Sequence, residues 1–120
     1  MKIAVTAVAT GLTSGIDPRF GRAKNFVIVD TESGGYETLD NSLNMHANSG
    51  AGVQAASNVI NSGATAVITG HVGPKAAAAL KAGGVQIFLT ASATVEDALK
   101  ELSDGKLEET DSANVEGHWS

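Results

Sequence analysis

The stretch that decides the fold is residues 64–80, ATAVITGHVGPKAAAAL, where an apolar run passes through a glycine-bounded turn into an alanine-rich segment. Ala64–Thr69 has the composition of a buried strand, and Gly70–Gly73 has that of a tight turn. Pro74 suits the first turn of a helix, because the N–H that proline lacks has no helical partner there. Val85–Leu89 is then predicted to form the next strand. A strand, a helix and a second strand in this order predict a parallel βαβ crossover.

The segments on either side of this unit complete the predicted sheet. They are strands at Lys2–Val8, Asn25–Asp30 and Tyr36–Asp40, a helix capped by Asn48 or Ser49 and ended by Gly63, and a helix capped by Thr94 and ended by Gly105. The glycines of Glu32–Gly35 predict a hairpin between the second and third strands, and hence an antiparallel pair. The order β-β-β-α-β-α-β-α predicts an α/β fold with a five-stranded mixed sheet flanked by helices. We expect a single domain over residues 1–107 and an acidic, frayed tail over residues 108–120.

The composition argues against several classes of protein. Thirteen acidic and eight basic residues give a formal net charge of −5, which disfavours general binding of nucleic acid or of anionic membranes. The chain has no cysteine, so disulfides and thiolate-ligated zinc or iron–sulfur sites are excluded, and a metal centre would have to bring its own sulfur. The N-terminus passes directly into a strand pattern, and no segment approaches membrane-spanning length. We therefore expect a cytoplasmic protein.

The segment Asp17–Arg22, DPRFGR, follows the first strand and brings two arginines close to one glycine; we call it the arginine loop. Arg19 and Arg22 can hold an anion by charge-assisted hydrogen bonds, and Gly21 lets the backbone approach that anion. The alternative is that one arginine pairs with Asp17 and only braces the loop. Because no residue nearby looks like a nucleophile, the loop favours binding an anion over transforming one.

The turn Gly70–Gly73 is expected at the same edge of the sheet as the arginine loop. In open α/β sheets, ligands bind beyond the carboxyl ends of the parallel strands. Those ends are predicted to carry the Leu12–Arg22 loop, the Thr90–Ser92 turn and the turn formed by Gly70, His71, Val72 and Gly73. Since a helix follows at Pro74, amides and the positive end of the helix dipole would face this crevice. The alternative is an ordinary strand-to-helix turn, which would use glycines in any case.

Two further candidates, Met45 and His46, lie in the polar loop Asn41–Gly50. An imidazole beside a soft thioether could contact a metal centre, although a lone histidine in a loop is more often simply solvated. His46 and His71 are accordingly the candidate metal ligands, with neither assigned as one.

The sequence does not indicate a catalytic site. Two-metal or hydrolytic chemistry needs converging carboxylates, and the aspartates available, Asp17, Asp30 and Asp40, each lie next to a predicted turn. Serines and threonines are scattered through loops without an evident base, so no catalytic triad is predicted. We therefore expect a binding protein that is not an enzyme.

Four ordered motifs carry a family resemblance: Asp17–Arg22, Gly50–Ala56, Val67–Ala76 and Thr94–Leu99. Together they resemble the dinitrogenase iron-molybdenum cofactor biosynthesis family, which includes the NifX-like proteins, over the chain up to about Leu107. The resemblance implies a ribonuclease H-like α/β fold and a metal–sulfur cluster-binding domain. One stand-alone member of that family holds a molybdenum-copper sulfide cluster noncovalently. The implied cofactor is therefore such a cluster, or an iron-molybdenum-sulfur cluster, bound without covalent attachment.

The resemblance and the residues agree on charge. Thiomolybdate-type clusters are anions with polarizable sulfur surfaces, so the two arginines and helix-terminal amides could balance their charge. Phe20, Met45 and Val72 would offer soft or apolar contact. We expect a carrier whose partners are the cluster and the proteins that donate or accept it. A nucleotide- or phosphate-binding regulator remains an alternative, as does a ribonuclease H-like nuclease, although the acidic cluster of such a nuclease is missing from this sequence.

Overall fold

The computed structural model describes residues 1–42 and 50–113. The strands are β1 (Lys2–Ala7), β2 (Asn25–Asp30), β3 (Tyr36–Asp40), β4 (Ala66–Thr69), β5 (Gln86–Leu89) and β6 (Glu108–Thr110), and the helices are α1 (Ala51–Asn61), α2 (Pro74–Ala82) and α3 (Val95–Ser103). Among the described residues, no helix is both long enough and apolar enough to cross a membrane.

The strands form one mixed sheet in the order β3-β2-β1-β4-β5-β6. β1, β4 and β5 are parallel, which confirms the predicted βαβ crossover through α2. β2 is antiparallel to β1 and to β3, which confirms the predicted hairpin. The hairpin turn closes through hydrogen bonds from Asp30 N–H to Gly35 O and from Gly34 N–H to Asp30 O, both 2.9 Å. Gly34 has φ of 77°, a left-handed conformation that favours glycine.

The predicted number of strands, five, is wrong, because the sheet has a sixth strand. β6 pairs antiparallel with β5, with Glu108 opposite Leu89 and Thr110 opposite Ile87. It lies in the segment expected to be a frayed tail, where the acidic sequence shows no alternation of apolar residues. Hydrogen bonds to the open edge of β5 therefore define this strand, whereas an apolar pattern marks β1, β2, β4 and β5. Residues 114–120 lie outside the described part of the chain.

Both faces of the sheet are buried along β1, β2 and β4. Ala4 of β1 belongs to the core beneath α1 and α2, whereas Ile3 and Val5 belong to the core beneath α3. Because successive side chains of a strand point to opposite faces, a strand covered on both sides is expected to be largely apolar, and β1 is apolar from Ile3 to Val5. Alanines line much of α1 and α2 on their buried side, which lets both helices approach the sheet closely.

Two of the three predicted helix starts can be compared with the structure. Thr94 caps α3 as predicted, since its hydroxyl accepts the N–H of Asp97 at 3.3 Å. Pro74 occupies the first turn of α2, also as predicted. The residue at the cap position of α1 is Gly50, with φ of 75°, and the expected caps Asn48 and Ser49 lie outside the described residues.

Candidate functional site

The arginine loop begins at a buried hydrogen-bond network between β1 and β4. Asp17 N–H donates to the carbonyl of Thr6 at 3.0 Å, and the Thr6 hydroxyl donates to the carbonyl of Asp17 at 2.6 Å. The hydroxyls of Thr6 and Thr69 are 3.1 Å apart, and both residues are fully buried at the carboxyl ends of adjacent parallel strands. The start of the loop is thereby fixed to the edge of the sheet where ligands are expected.

The middle of the arginine loop pairs with the turn between β4 and α2. His71 N–H donates to Pro18 O at 2.6 Å, and Phe20 N–H donates to His71 O at 3.1 Å. These bonds form a parallel bridge between Arg19 and His71. The structure therefore brings together the arginine loop and the Gly70–Gly73 turn, as the sequence predicted from their positions after parallel strands.

Phe20 and Val72 have side chains that lie in the core, which corrects the role expected for them. Both are 0% exposed, and the Phe20 ring packs on Phe26 with 5.4 Å between ring centroids. Burying a large apolar side chain adds about 1.5–3 kcal/mol to the free energy of unfolding. Phe20 and Val72 gain this stabilisation because their side chains turn into the core. Their side chains are anchors for the loop and the turn, and they leave only backbone to contact a ligand.

The end of the arginine loop is held by Asn41, a residue that sequence reasoning missed. The Asn41 side-chain amide donates to Gly21 O at 3.3 Å and to Ala23 O at 2.8 Å. Its backbone N–H donates to Lys24 O at 2.8 Å. Asn41 is 2% exposed. An asparagine that follows a strand in a polar segment normally indicates a turn, so the sequence carried no signal for this contact.

Arg19 forms an ion pair with Asp17. The carboxylate accepts Arg19 N–H at 3.1 Å and Arg19 Nε–H at 3.5 Å. Asp17 has a side chain only 5% exposed, whereas that of Arg19 is 40% exposed. Nε of Arg19 therefore braces the loop, as the alternative to anion binding expected. A guanidinium has five N–H donors, and this ion pair uses the one on Nε. The four donors on the terminal nitrogens are not part of the ion pair.

Two helix N-termini at this edge differ in how their N–H groups are used. At α3, Val95 N–H and Glu96 N–H donate to the carbonyls of Ser14 and Leu12, both at 2.9 Å. At α2 the cap residue is Gly73, which has no side chain to cover the first N–H groups. The positive end of α2 therefore lies beside the His71 bridge to the arginine loop.

The described residues do not form a conventional metal-ion site. Within residues 1–42 and 50–113, no group of three or more His, Cys, Asp or Glu side chains could hold a metal ion. Nδ1 of His71 is a buried atom. Met45 and His46 lie outside the described residues, so their contact with a ligand stays a prediction.

Comparisons with known proteins show the family to which this chain belongs. The structure matches the apo form of the orange protein from Desulfovibrio gigas, with a TM-score of 0.91 and 40% identity over 95% of this chain and 96% of that one. A putative NifB protein from Thermotoga gives a TM-score of 0.82 and 32% identity over 97% and 98% of the two chains.

A sequence relative and a family model agree with these structures. An uncharacterized protein of Methanocaldococcus jannaschii is 33% identical over 98 residues, which is 78% of this chain and 80% of the relative. The family model described as dinitrogenase iron-molybdenum cofactor matches residues 1–105. As the four motifs in its sequence predicted, the chain belongs to the dinitrogenase iron-molybdenum cofactor family.

Proposed function

We propose that this protein is a non-catalytic carrier of a preassembled, anionic, molybdenum-containing metal–sulfur cluster. The observation that supports this most is the bridge between Arg19 and His71, which joins the arginine loop to the turn before α2. It gathers positive charge and helix-terminal N–H groups at one edge of an otherwise acidic protein. Family membership and the likeness to the orange protein support a cofactor-binding or carrier role.

The residues at this edge fit an intact anion better than a coordinated metal ion. The chain has no thiolate, and the described residues form no cluster of three metal-ligating side chains. Two arginines and the first turn of α2 supply charge-assisted hydrogen bonds instead, which need an anionic acceptor. A molybdenum-copper sulfide cluster and an iron-molybdenum-sulfur cluster both meet this requirement. We propose that one of them is the cargo and is held noncovalently.

Holding of this kind makes the cargo exchangeable. The arginine loop and the Gly70–Gly73 turn contribute charge and hydrogen bonds, while Phe20 and Val72 keep both segments in place from the core. No metal–protein bond has to break for release, so a protein that accepts the cluster needs only to compete for the same anion. Binding should weaken as ionic strength rises, because salt screens exposed charges.

We also propose that the fold is ribonuclease H-like and that the cluster-binding domain is a single unit. The support is the strand order β3-β2-β1-β4-β5, with β2 antiparallel to its neighbours. β6 adds to the far edge of this sheet from the segment after residue 107.

The test is reconstitution. Apo-protein is mixed with tetrathiomolybdate and a copper(I) salt and passed through a gel-filtration column, and visible absorption is expected to co-elute with protein. The matched variants are Arg19→Ala/Arg22→Ala and Lys100→Ala/Lys106→Ala, since each removes two positive charges. Lys100 lies in the last turn of α3 and Lys106 follows it, away from the edge where α3 begins.

The proposal requires that only the double-arginine variant lose the colour, while both variants remain folded by circular dichroism. If an unrelated acidic protein retains as much colour, or both variants lose it equally, binding is general electrostatics and the proposal fails. If ATP binds at the same edge and the cluster does not, the nucleotide-binding alternative is correct.

A further inference from the structure

Asn41 is a buried polar side chain between the end of β3 and the arginine loop. It is 2% exposed, and it follows Asp40, the last residue of β3, directly. Its Nδ2 donates to two carbonyl oxygens, Gly21 O at 3.3 Å and Ala23 O at 2.8 Å. Because one nitrogen serves both carbonyls, this side chain ties the residues on either side of Arg22 to the end of β3.

The two carbonyls belong to the residues that flank Arg22. Holding both fixes the peptide plane between Gly21 and Arg22 and the plane between Ala23 and Lys24, and hence restricts the backbone of the short segment that contains Arg22. The preceding residue is Gly21, which by itself leaves the chain the widest choice of conformation. Asn41 therefore restrains the backbone at Gly21, the residue of this segment that has the most conformational freedom.

The chemistry of the contact is specific to an amide. Both Gly21 and Ala23 are buried, and buried carbonyl groups need hydrogen-bond donors. The NH₂ group of asparagine offers two donors on one atom, whereas aspartate would present only acceptors to the same carbonyls. A hydrophobic side chain of similar size would leave both carbonyls without this donor.

We propose that Asn41 is the positioning residue for Arg22: by clamping the backbone on both sides of that arginine, it preorganises the anion site. This inference rests on the proposed function, because it concerns the same anion. A preorganised arginine loses less conformational entropy on binding, so the clamp strengthens binding without contacting the ligand.

The test is a double-mutant cycle with tetrathiomolybdate and copper(I) as the probe. Affinity is measured for the wild type, Asn41→Ala, Arg22→Ala and the double variant. Asn41→Ala is expected to raise Kd about tenfold, as for the loss of about two ordinary hydrogen bonds. If the clamp acts through Arg22, the same change in the Arg22→Ala background should alter Kd less than about twofold.

Ser62→Ala is the matched control for lost stability. The Ser62 hydroxyl donates to Val59 O at 2.6 Å beyond the end of α1, so its removal also costs a side-chain hydrogen bond. It should lower the unfolding temperature and leave Kd unchanged. If Asn41→Ala does not fold, Asn41→Ser, which keeps one hydroxyl donor, replaces it in the cycle.

Hydrogen exchange separates this inference from the proposed function. Backbone amides of Arg22, Ala23 and Lys24 should exchange faster in the Asn41 variant than in the wild type, with amides of β1 unchanged. If the wild type binds no cluster but this local acceleration occurs, the proposed function fails and the clamp on Arg22 stands. If exchange is unchanged, or if Asn41→Ala weakens binding equally with and without Arg22, the positioning role is refuted.

Discussion

Gly70 lies directly against the backbone of Pro18. A methyl group on Gly70 would stand 3.0 Å from the Pro18 carbonyl oxygen and 3.1 Å from the Pro18 Cα. That carbonyl also accepts the His71 N–H at 2.6 Å, so it cannot move away without breaking the bridge to the turn. Glycine at position 70 is therefore what lets the arginine loop pack against the end of β4.

Gly70→Ala should both destabilise the protein and weaken cluster binding. Overpacking of this kind costs about 1–3 kcal/mol of the free energy of unfolding, since backbone atoms must shift. The shift would separate the arginine loop from the first turn of α2, so the gel-filtration assay should show less retained colour. Chemical denaturation measures the stability change on the same samples.

Gly34→Ala is the control for this prediction. A methyl group there would meet no atom within 4 Å, but Gly34 has φ of 77° in the β2–β3 hairpin. The left-handed backbone should cost about 1–2 kcal/mol for alanine, with cluster retention unchanged. If Gly34→Ala reduces retention as much as Gly70→Ala does, retention follows global stability and the contact with Pro18 has no special role.

Two ion pairs of nearly equal length should differ in their contribution to stability. Arg19 Nε lies 3.5 Å from Asp17, whose side chain is 5% exposed, and Lys81 Nζ lies 3.4 Å from Asp111, whose side chain is 77% exposed. Arg19→Ala leaves a buried carboxylate without its ion-pair partner, which should cost about 1–2 kcal/mol. Lys81→Ala removes an exposed pair and should cost about 0.5 kcal/mol or less.

Urea denaturation of both variants checks this difference. Asp17→Asn in the Arg19→Ala background should recover part of the loss, because it removes the buried charge. Equal free energies of unfolding for the two single variants would mean that Asp17 is solvated well enough to need no partner, and that the ion pair does not brace the loop.

Local sequence patterns predicted most of the fold because interactions between neighbouring residues determine most of its turns and helix ends. The hairpin at Gly34, the proline start of α2 and the Thr94 cap each depend on a few neighbouring residues, and the structure has all three. β6 could not be predicted in this way, since its hydrogen bonds are to β5 and its acidic sequence has no apolar period. Pairing with an open sheet edge is a tertiary effect.

The candidate site was predictable in its location but not in its supports. Parallel strands carry the loops that follow them to one edge, so the meeting of Arg19 and His71 could be inferred. The inward side chain of Phe20 depends on packing against core residues such as Phe26, and the clamp by Asn41 joins residues 20 positions apart. No local pattern encodes either contact. The sequence therefore predicted the two arginines of the site, but it did not predict that Phe20 and Asn41 hold their loop in place.

The pKa of Asp40 should respond to Ser42. The Ser42 side chain and the Ser42 N–H, in that order of importance, donate hydrogen bonds that lower the pKa of Asp40 below its ordinary value of 3.8. A carboxyl group with a lowered folded-state pKa stabilises the fold above its unfolded pKa. That contribution is lost as pH falls through the folded-state value.

Ser42→Ala removes the hydroxyl donor but keeps the N–H, so the pKa of Asp40 should rise part of the way toward 3.8. Titration of the side-chain carboxyl carbons by NMR measures it directly. Asp30 is the internal control, because its pKa is lowered chiefly by the N–H groups of Glu32 and Ser33 and should not change. An unchanged Asp40 titration in the variant would show that the Ser42 hydroxyl does not stabilise the carboxylate.

The spectrum of the bound cluster should distinguish coordination by histidine from electrostatic holding. His71 contacts the arginine loop through its backbone N–H and C=O, so His71→Ala keeps both hydrogen bonds of the bridge. A residue bonded to metal sets the electronic structure of the centre, and its loss would shift the absorption bands as well as the affinity. For a cluster held as an intact anion, we expect unshifted bands and a small loss of affinity.

His46→Ala, at a position outside the described residues, should give the same absorption bands and a somewhat larger loss of affinity. A clear band shift in either single variant would identify a histidine ligand and refute the noncovalent mechanism.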